Sequence, residues 1–166
     1  MYSTIQRKRQ LLLKVVLLLL DESMSGWRPK TSKLGGLPNY TFEPRKPIPL
    51  GTMFCNGVEC MVGTMDYQDV VQLPEQQHRK KYHGEQSALP GKEQLIGAST
   101  AEVLRQVEGA EVVRGGWVGG DDWFGSVMTA VEVMKLLGVH SMVIIQNNHR
   151  VVHLQLSRFF FVGKSC

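Results

Sequence analysis

Three apolar runs, separated by polar and glycine-rich stretches, dominate the chain and predict strands. Residues 11–20 (LLLKVVLLLL) are apolar except for Lys14, a pattern typical of a buried strand. Because strands usually have about five or six residues, we expect only part of this run to lie in a sheet. Residues 111–118 and 141–148 predict two further strands.

A β-hairpin is predicted in residues 52–67 (TMFCNGVECMVGTMDY). Asn56 and Gly57 offer the positive φ angles of a type I′ turn, and β-prone residues flank them on both sides. Cys55 and Cys60 also flank this turn, at a spacing that invites a zinc interpretation. No second Cys or His pair with the spacing of a structural zinc site accompanies them in the sequence, so buried or half-buried strand thiols are favoured.

Two helices are predicted from the signals at their ends. Ser99 and Glu102 form a capping-box pattern ahead of an apolar stripe, and Gly109 is placed to end that helix. Ser126 precedes a second helical pattern, which Gly138 closes. The order strand, two-stranded hairpin, helix, strand, helix, strand predicts an α/β fold. It matches the mixed sheet and flanking helices of the ribonuclease-H-like fold, truncated before the last helix.

Two aspartates stand where predicted strands give way to polar sequence. Asp21 follows the first apolar run, and Asp121 lies in residues 119–126 (GGDDWFGS), just before the second helix. Carboxylates at the ends of buried strands are oxygen ligands on rigid elements, as a divalent-metal site requires. Trp123 and Phe124 are interpreted as core anchors for the helix that follows.

Basic residues are concentrated in two irregular stretches that we interpret as loops. The first, residues 22–50, is rich in proline, and the second, residues 72–97, contains the string HRKKYHGE. Contact with nucleic acid and an ordinary solvated surface both explain such clusters. The candidate nucleic-acid contacts are Arg28, Lys30, Arg45, Lys46, Arg79, Lys80 and Lys81.

The composition of the 166-residue chain fits one domain. A hydrophobic content of 43% suffices for one core, and a net charge of +4 is compatible with a polyanionic partner without requiring one. Three cysteines are more typical of a reduced intracellular protein than of a disulfide framework. The basic N-terminus and the leucine run resemble a signal peptide, but the run lacks a cleavage site and is too short to span a bilayer. A strand is the favoured interpretation, and no membrane partner is expected.

Four motifs, in order, resemble the catalytic domain of piggyBac-type transposases, which are DDE enzymes. They are LLDESMSGWRPK (residues 19–30), PRKPIPLGTMFCNGVE (44–59), GGDDWFGSVMTAVEVM (119–134) and VIIQNN (143–148). The resemblance implies that Asp21 and Asp121 are catalytic residues and ligands of Mg²⁺ or Mn²⁺. It also implies DNA, in the form of transposon ends, as the partner and the nucleus as the location, and it is compatible with a homodimer.

The chain also departs from that family. No Asp or Glu follows Glu132, so the family's third catalytic aspartate has no counterpart, and weak metal binding is expected. Glu22 or Asp122 could replace it only if the backbone directed either side chain inward. We predict an atypical extension over residues 1–10, a partial transposase domain over 11–148 and a divergent tail over 149–166.

Two functions therefore stay open at the level of the sequence. The first is a fragment of a transposase catalytic core that derives from metal-dependent DNA cleavage and strand transfer and is inactive alone. The second is a non-catalytic module, domesticated to bind DNA or protein. Both a decayed gene copy and a partial gene model explain the departures.

Overall fold

Six strands and two helices make up the part of the chain that the computed structural model describes, residues 14–26, 40–71, 80–87 and 95–143. The strands are β1 (Leu17–Gly26), β2 (Tyr40–Phe42), β3 (Leu50–Glu59), β4 (Thr64–Val70), β5 (Trp117–Gly120) and β6 (His140–Val143). The helices are α1 (Ala98–Gly109) and α2 (Val127–Glu132), and α2 continues as a π-helical turn over Val133–Leu137. None of the helices in these ranges is long and apolar enough to cross a membrane.

All the strands belong to one mixed sheet with the order β2-β3-β1-β5-β6, and β4 also pairs with β3. β1 pairs antiparallel with β3 and parallel with β5, while β5 pairs parallel with β6. β1 therefore joins an antiparallel half of the sheet to a parallel half. The side-by-side placement predicted for the first strand and the strand before Asp121 is confirmed.

β1 begins and ends later than its apolar run predicts. The prediction places the strand in residues 11–20 with Asp21 at its tip, whereas β1 continues to Gly26. Its polar half stays paired with β3, from Asp21 opposite Asn56 to Gly26 opposite Gly51. Backbone pairing does not depend on apolar side chains, so the change to polar sequence does not end the strand.

The irregular stretch predicted over residues 22–50 is corrected for the same reason. It contains the second half of β1, all of β2 and the first residue of β3. The other two predicted strands also shift: β5 begins at Trp117 because Gly115 adopts a positive φ of 80° in the turn before it. β6 begins at His140, and residues 144–148 of that prediction lie outside the described residues.

The predicted hairpin exists, but its turn lies further along the chain. β3 runs through Asn56 and Gly57, and the turn occupies residues 60–63, where Gly63 has a φ of 70°. The type I′ turn prediction was wrong because the pair lies in the middle of the sheet, where Asn56 is buried and the backbone of Gly57 lies against Leu18. The pairing with β1 and the burial outweigh the local turn preference.

The predicted capping box of α1 was wrong, although its end at Gly109 is confirmed. Gly97 occupies the N-cap position, and no side chain caps the helix. Ser99 and Glu102 both lie inside the helix, and Glu102 is buried in an ion pair with Arg105. Because its carboxylate is paired with Arg105, Glu102 does not accept a hydrogen bond from the backbone at the start of the helix.

Both predicted ends of the second helical segment are confirmed. Ser126 is the N-cap, and its Oγ accepts a hydrogen bond of 3.0 Å from the backbone N of Thr129. Gly138 ends the helical segment with a left-handed φ of 70°. Phe124 is fully buried as predicted, but Trp123 is 40% exposed and touches Phe124 only edge-on. The core-anchor prediction was therefore wrong for Trp123, because consecutive side chains in the turn after β5 point in different directions.

Both helices pack on one face of the sheet, which we name the covered face. Its strand residues Leu18, Leu20, Cys55 and Val118 are buried. The helices and the segment before α2 complete this core with Val103, Leu104, Val107, Phe124 and Val133. The alternate residues of the same strands point to the opposite face, which no described helix covers and which we name the open face.

Candidate metal-binding site

The segments that carry the two aspartates are joined by the parallel pairing of β1 and β5. Leu17 pairs with Trp117, Leu18 with Val118 and Leu19 with Gly119, so the residue numbers of each pair differ by 100. Two further steps along each segment lead to Asp21, which lies within β1, and to Asp121, which directly follows the end of β5. The sheet thus brings the residues that precede the two aspartates side by side, despite their long separation in sequence.

One oxygen of each carboxylate is already held by a local backbone amide. Asp21 Oδ1 accepts a hydrogen bond of 2.7 Å from the backbone N of Glu22, and Asp121 Oδ1 accepts one of 3.0 Å from the backbone N of Trp123. Both residues are exposed. Each carboxylate has a second oxygen, so the local bonds orient the side chains while leaving coordination capacity.

Glu22 faces away from this pair, onto the covered face, because successive side chains of a strand point to opposite sides. Its Oε2 lies 3.7 Å from Lys46 Nζ, while its buried Oε1 has no hydrogen-bond partner among the described residues. Burial raises the pKa of the Glu22 carboxyl, Lys46 lowers it, and the charges of Asp121 and Asp21 raise it again. Both aspartates therefore influence the Glu22 carboxyl electrostatically, although its side chain points to the other face.

The two aspartates supply the carboxylate oxygens that Mg²⁺ and Mn²⁺ prefer, but the described residues supply no larger set. Within the described ranges, no three His, Cys, Asp or Glu side chains are grouped so that they could hold a metal ion. Mg²⁺ in proteins is often held by one or two carboxylates together with waters and substrate phosphates. Asp21 and Asp121 match that donor set for one ion.

The basic residues predicted to contact nucleic acid are in different environments. Arg45 has a side chain that is 87% exposed, with Nε 3.3 Å from Glu43 Oε1. Lys46 lies beside Glu22, the residue that follows Asp21. Arg45 and Lys46 therefore present positive charge on the segment before β3. Arg28, Lys30 and Arg79 lie outside the described residues.

The other two predicted basic contacts are adjacent in sequence but differ in access. Lys80 is mostly buried, and its Nζ donates hydrogen bonds to Asp69 Oδ2 at 2.7 Å and to the carbonyl of Val70 at 2.8 Å. Lys81 is exposed, pairs with Glu108 at 2.5 Å and lies over the ring of Tyr82. Lys81 thus presents its charge to solvent, while Lys80 is bound inside the domain.

Sequence reasoning missed a buried ion network on the covered face. Arg105 pairs with Glu102 and lies 3.5 Å from Asp69, which also binds Lys80. Asp69 lies on β4, Lys80 lies between β4 and α1, and Glu102 and Arg105 lie on α1. Of these four residues, only Glu102 and Arg105 have a sequence spacing that predicts an ion pair. With two carboxylates and two cations in balance, the network joins α1 to the sheet.

Asn56 is a second residue near the aspartates whose role the sequence did not reveal. It lies opposite Asp21 in the register, its Nδ2 donates to Ser23 Oγ at 2.8 Å, and its Oδ1 accepts from Gln68 Nε2 at 3.0 Å. These bonds tie β1, β3 and β4 together beside Asp21. The sequence analysis assigned Asn56 to a turn because of the Asn-Gly pair, and therefore did not predict its place in the sheet.

Comparison with solved structures finds a protein with the same fold. The chain superimposes on the piggyBac transposase of a cryo-EM synaptic complex with hairpin DNA, with a TM-score of 0.62 and 15% sequence identity. The match covers 84% of this chain but 25% of the transposase chain, so the chain spans about a quarter of that protein's length. No known family model and no curated protein matches the sequence. The predicted ribonuclease-H-like fold is confirmed.

Proposed function

We propose that this chain is a DNA-binding domain of piggyBac-type DDE transposase ancestry in which Asp21 and Asp121 hold one divalent cation. The parallel register of β1 and β5 is the observation that supports the proposal, because β1 contains Asp21 and β5 ends directly before Asp121. The similarity of the fold to a transposase and the four sequence motifs support the same ancestry.

Asp21 and Asp121 are the proposed ligands of Mg²⁺ or Mn²⁺. When bound, such an ion stabilises negative charge on phosphate and activates an attacking oxygen. The backbone amides of Glu22 and Trp123 orient the two carboxylates. The fixed strands reduce the conformational freedom that binding would otherwise remove.

Two carboxylates provide too little negative charge for two divalent ions, so we propose weak metal binding and little strand cleavage or transfer by this chain alone. Glu22 does not supply the missing ligand in our proposal, since its side chain is on the covered face beside Lys46. A non-catalytic module that binds DNA or protein is the function that remains if metal binding fails.

DNA is the proposed partner. The solved relative is a transposase complex with hairpin DNA, and this chain carries a net charge of +4. Lys46 lies beside Glu22, the residue that follows Asp21, and Arg45 precedes it with a side chain open to solvent. A phosphate backbone that approaches the metal ligands would meet these two cations. Binding to transposon ends, homodimer formation and a nuclear location stay predictions.

Thermal unfolding with and without Mn²⁺ tests the metal site. A ligand that binds only the folded state at about ten times its Kd adds about 1.4 kcal/mol to the stability. For a domain of this size that shifts the Tm by roughly 3–6 °C. We expect the shift in the parent and its loss in Asp21→Asn and Asp121→Asn.

Asp66→Asn is the matched control, because Asp66 lies on β4, away from β5, and should keep the Mn²⁺ response. A cooperative parent without any metal response would refute the metal site and leave the non-catalytic function. DNA binding is measured separately by fluorescence anisotropy over a salt series. The double substitution Arg45→Gln and Lys46→Gln should weaken binding and flatten the salt dependence, because each lost phosphate contact reduces counterion release.

A further inference from the structure

Trp123 is a large aromatic side chain that the fold leaves 40% exposed. It follows Asp121 by two residues, and its backbone N donates the hydrogen bond of 3.0 Å that orients Asp121 Oδ1. The indole lies against Phe124, with ring centroids 4.7 Å apart and an angle of 80° between the ring planes. Because Phe124 is fully buried and the rings are nearly perpendicular, Phe124 supports the indole without forming a parallel stack on it.

A small polar cavity lies beside Trp123 on the covered face. The side chains in its lining include Cys55, Lys80, His83, Glu102, Arg105 and Trp123. Its volume is about 40 Å³. A water-sized group needs about 10–15 Å³, so the cavity has room for roughly three such groups but not for an aromatic ring.

The cavity lining offers hydrogen-bond donors more than acceptors. Arg105 Nε is buried and lies 3.5 Å from Asp69 Oδ2, but it has no hydrogen-bond partner among the described residues. Glu102, the one carboxylate among the described lining residues, already accepts hydrogen bonds from Arg105 and Gln106. A guanidinium has five N–H donors and no acceptor. The cavity therefore favours a ligand whose edge carries oxygen or nitrogen acceptors.

An exposed indole beside hydrogen-bond donors is a combination that recognises a nucleobase. Every base has an aromatic face that stacks on tryptophan, and it has an edge with oxygen or ring-nitrogen acceptors. A base inside a duplex is already stacked and paired, and extruding it costs free energy. The arrangement therefore suits an unpaired base.

We propose that Trp123 is a stacking residue for an unpaired base of bound DNA, and that the edge of this base meets the donors of the cavity. This inference rests on the proposed function, because it takes DNA as the partner. Two residues of extended chain span roughly 7 Å, so the indole lies close to Asp121. A strand whose phosphate meets the metal ligands thereby brings a nearby base to Trp123.

Fluorescence anisotropy with two labelled DNA probes tests the stacking role. One probe is a blunt duplex, and the other is the same duplex with a single-stranded 3′ end of thymidines. A stacked base accounts for a loss of affinity of about 5- to 150-fold on alanine substitution. We expect Trp123→Ala to lose affinity in this range for the probe with the single-stranded end, while its binding to the blunt duplex is unchanged. Its response to Mn²⁺ should persist, since the backbone N that orients Asp121 remains.

Two further variants separate stacking from general contact with DNA. Trp123→Phe keeps an aromatic face and should retain most of the affinity. Phe42→Ala is the matched control, because Phe42 is 62% exposed on the edge strand β2, which β3 and β1 separate from β5. It should bind both probes as the parent does, and a loss equal to that of Trp123→Ala would overturn the proposal.

The same titrations distinguish a failure of this inference from a failure of the proposed function. A parent that binds DNA and a Trp123→Ala variant with equal affinity for the single-stranded end would overturn the stacking role alone. A parent that binds neither probe would overturn the stacking role together with the proposed DNA partner.

Intrinsic fluorescence provides a measurement that does not depend on the folding of the alanine variant. A base stacked on an indole quenches its emission, so single-stranded oligothymidylate should quench part of the emission of the parent. Trp123→Phe should abolish this quenching while it still binds in the anisotropy assay. Trp117→Phe should keep the quenching, because the Trp117 ring is already stacked on His140. Quenching that survives in Trp123→Phe would overturn the proposal.

Discussion

The two faces of the sheet are built from the same strands, yet they have different roles. On the covered face, Leu18 and Val118 are fully buried beneath the helices. On the open face, their neighbours Leu19 and Asp21 are exposed. Burial of the first set stabilises the fold, whereas the second set is accessible to ligands. The alternation of strand side chains thus separates stability from chemistry within β1.

Asp21 and Glu22 show the same contrast between adjacent carboxylates. Asp21 lies on the open face, exposed and oriented by a backbone amide. Glu22 lies on the covered face, where burial raises the pKa of its carboxyl and Lys46 opposes that effect. A carboxylate motif in a strand therefore cannot be assigned to a metal site as a unit, since each residue belongs to a different face.

The largest expected effect comes from the ion network on the covered face. Arg105→Met leaves Glu102 and Asp69 without the cation that lies between them. Removing one partner of a buried ion pair costs about 3–5 kcal/mol. Urea unfolding at neutral pH measures this loss. Arg45→Met removes an exposed ion pair with Glu43 and, as a control, should cost at most about 1 kcal/mol.

The loss in Arg105→Met should also depend on pH. Burial already raises the pKa of Glu102, and Arg105 lowers it, so the variant raises the pKa further. A carboxyl with a raised pKa in the folded state binds protons more readily there, and stability falls as the pH rises toward that pKa. The deficit should therefore be largest at neutral pH and shrink in acid toward the ordinary glutamate pKa. A deficit that grew in acid would contradict the role of Arg105 as the counter-ion.

A smaller effect separates the two faces through adjacent leucines. Leu18 is 0% exposed on the covered face, and Leu18→Ala should cost about 2–5 kcal/mol. Leu19 is 40% exposed on the open face, so Leu19→Ala should lower the free energy of unfolding by only about 1 kcal/mol through lost contacts within the sheet. Urea unfolding gives both values. Equal costs for Leu18→Ala and Leu19→Ala would contradict the assignment of the two leucines to different faces of the sheet.

Long-range pairing explains which features of the fold the sequence could predict. Ser126 and Gly138 act within a few residues of themselves, and both predicted helix ends are confirmed. Asn56 and Gly57 carry an equally strong local turn signal, but β1 pairs with them and the sheet buries Asn56. A local signal thus holds where neighbouring elements do not compete for the same backbone.

The candidate site could be predicted in part for a related reason. Asp21 and Asp121 follow apolar runs, and the order of elements placed those runs side by side, which the register confirms. The rest depends on side chains from distant segments. Asp69 and Lys80 are bound to each other and to α1 through Arg105, contacts that neither strand nor helix periodicity encodes.

The smallest expected difference is between two glycines, one at each face. Gly109→Ala places a Cβ against the ring of Tyr67, which packs with the core of the covered face and has little room to move. Overpacking of this kind costs about 1–3 kcal/mol. Gly119→Ala meets the flexible end of Leu19 at 2.8 Å on the open face, where the side chain can turn away, so its cost should stay within about 1 kcal/mol. Urea unfolding compares the two, and a larger loss for Gly119→Ala would contradict the freedom of the Leu19 side chain to turn away.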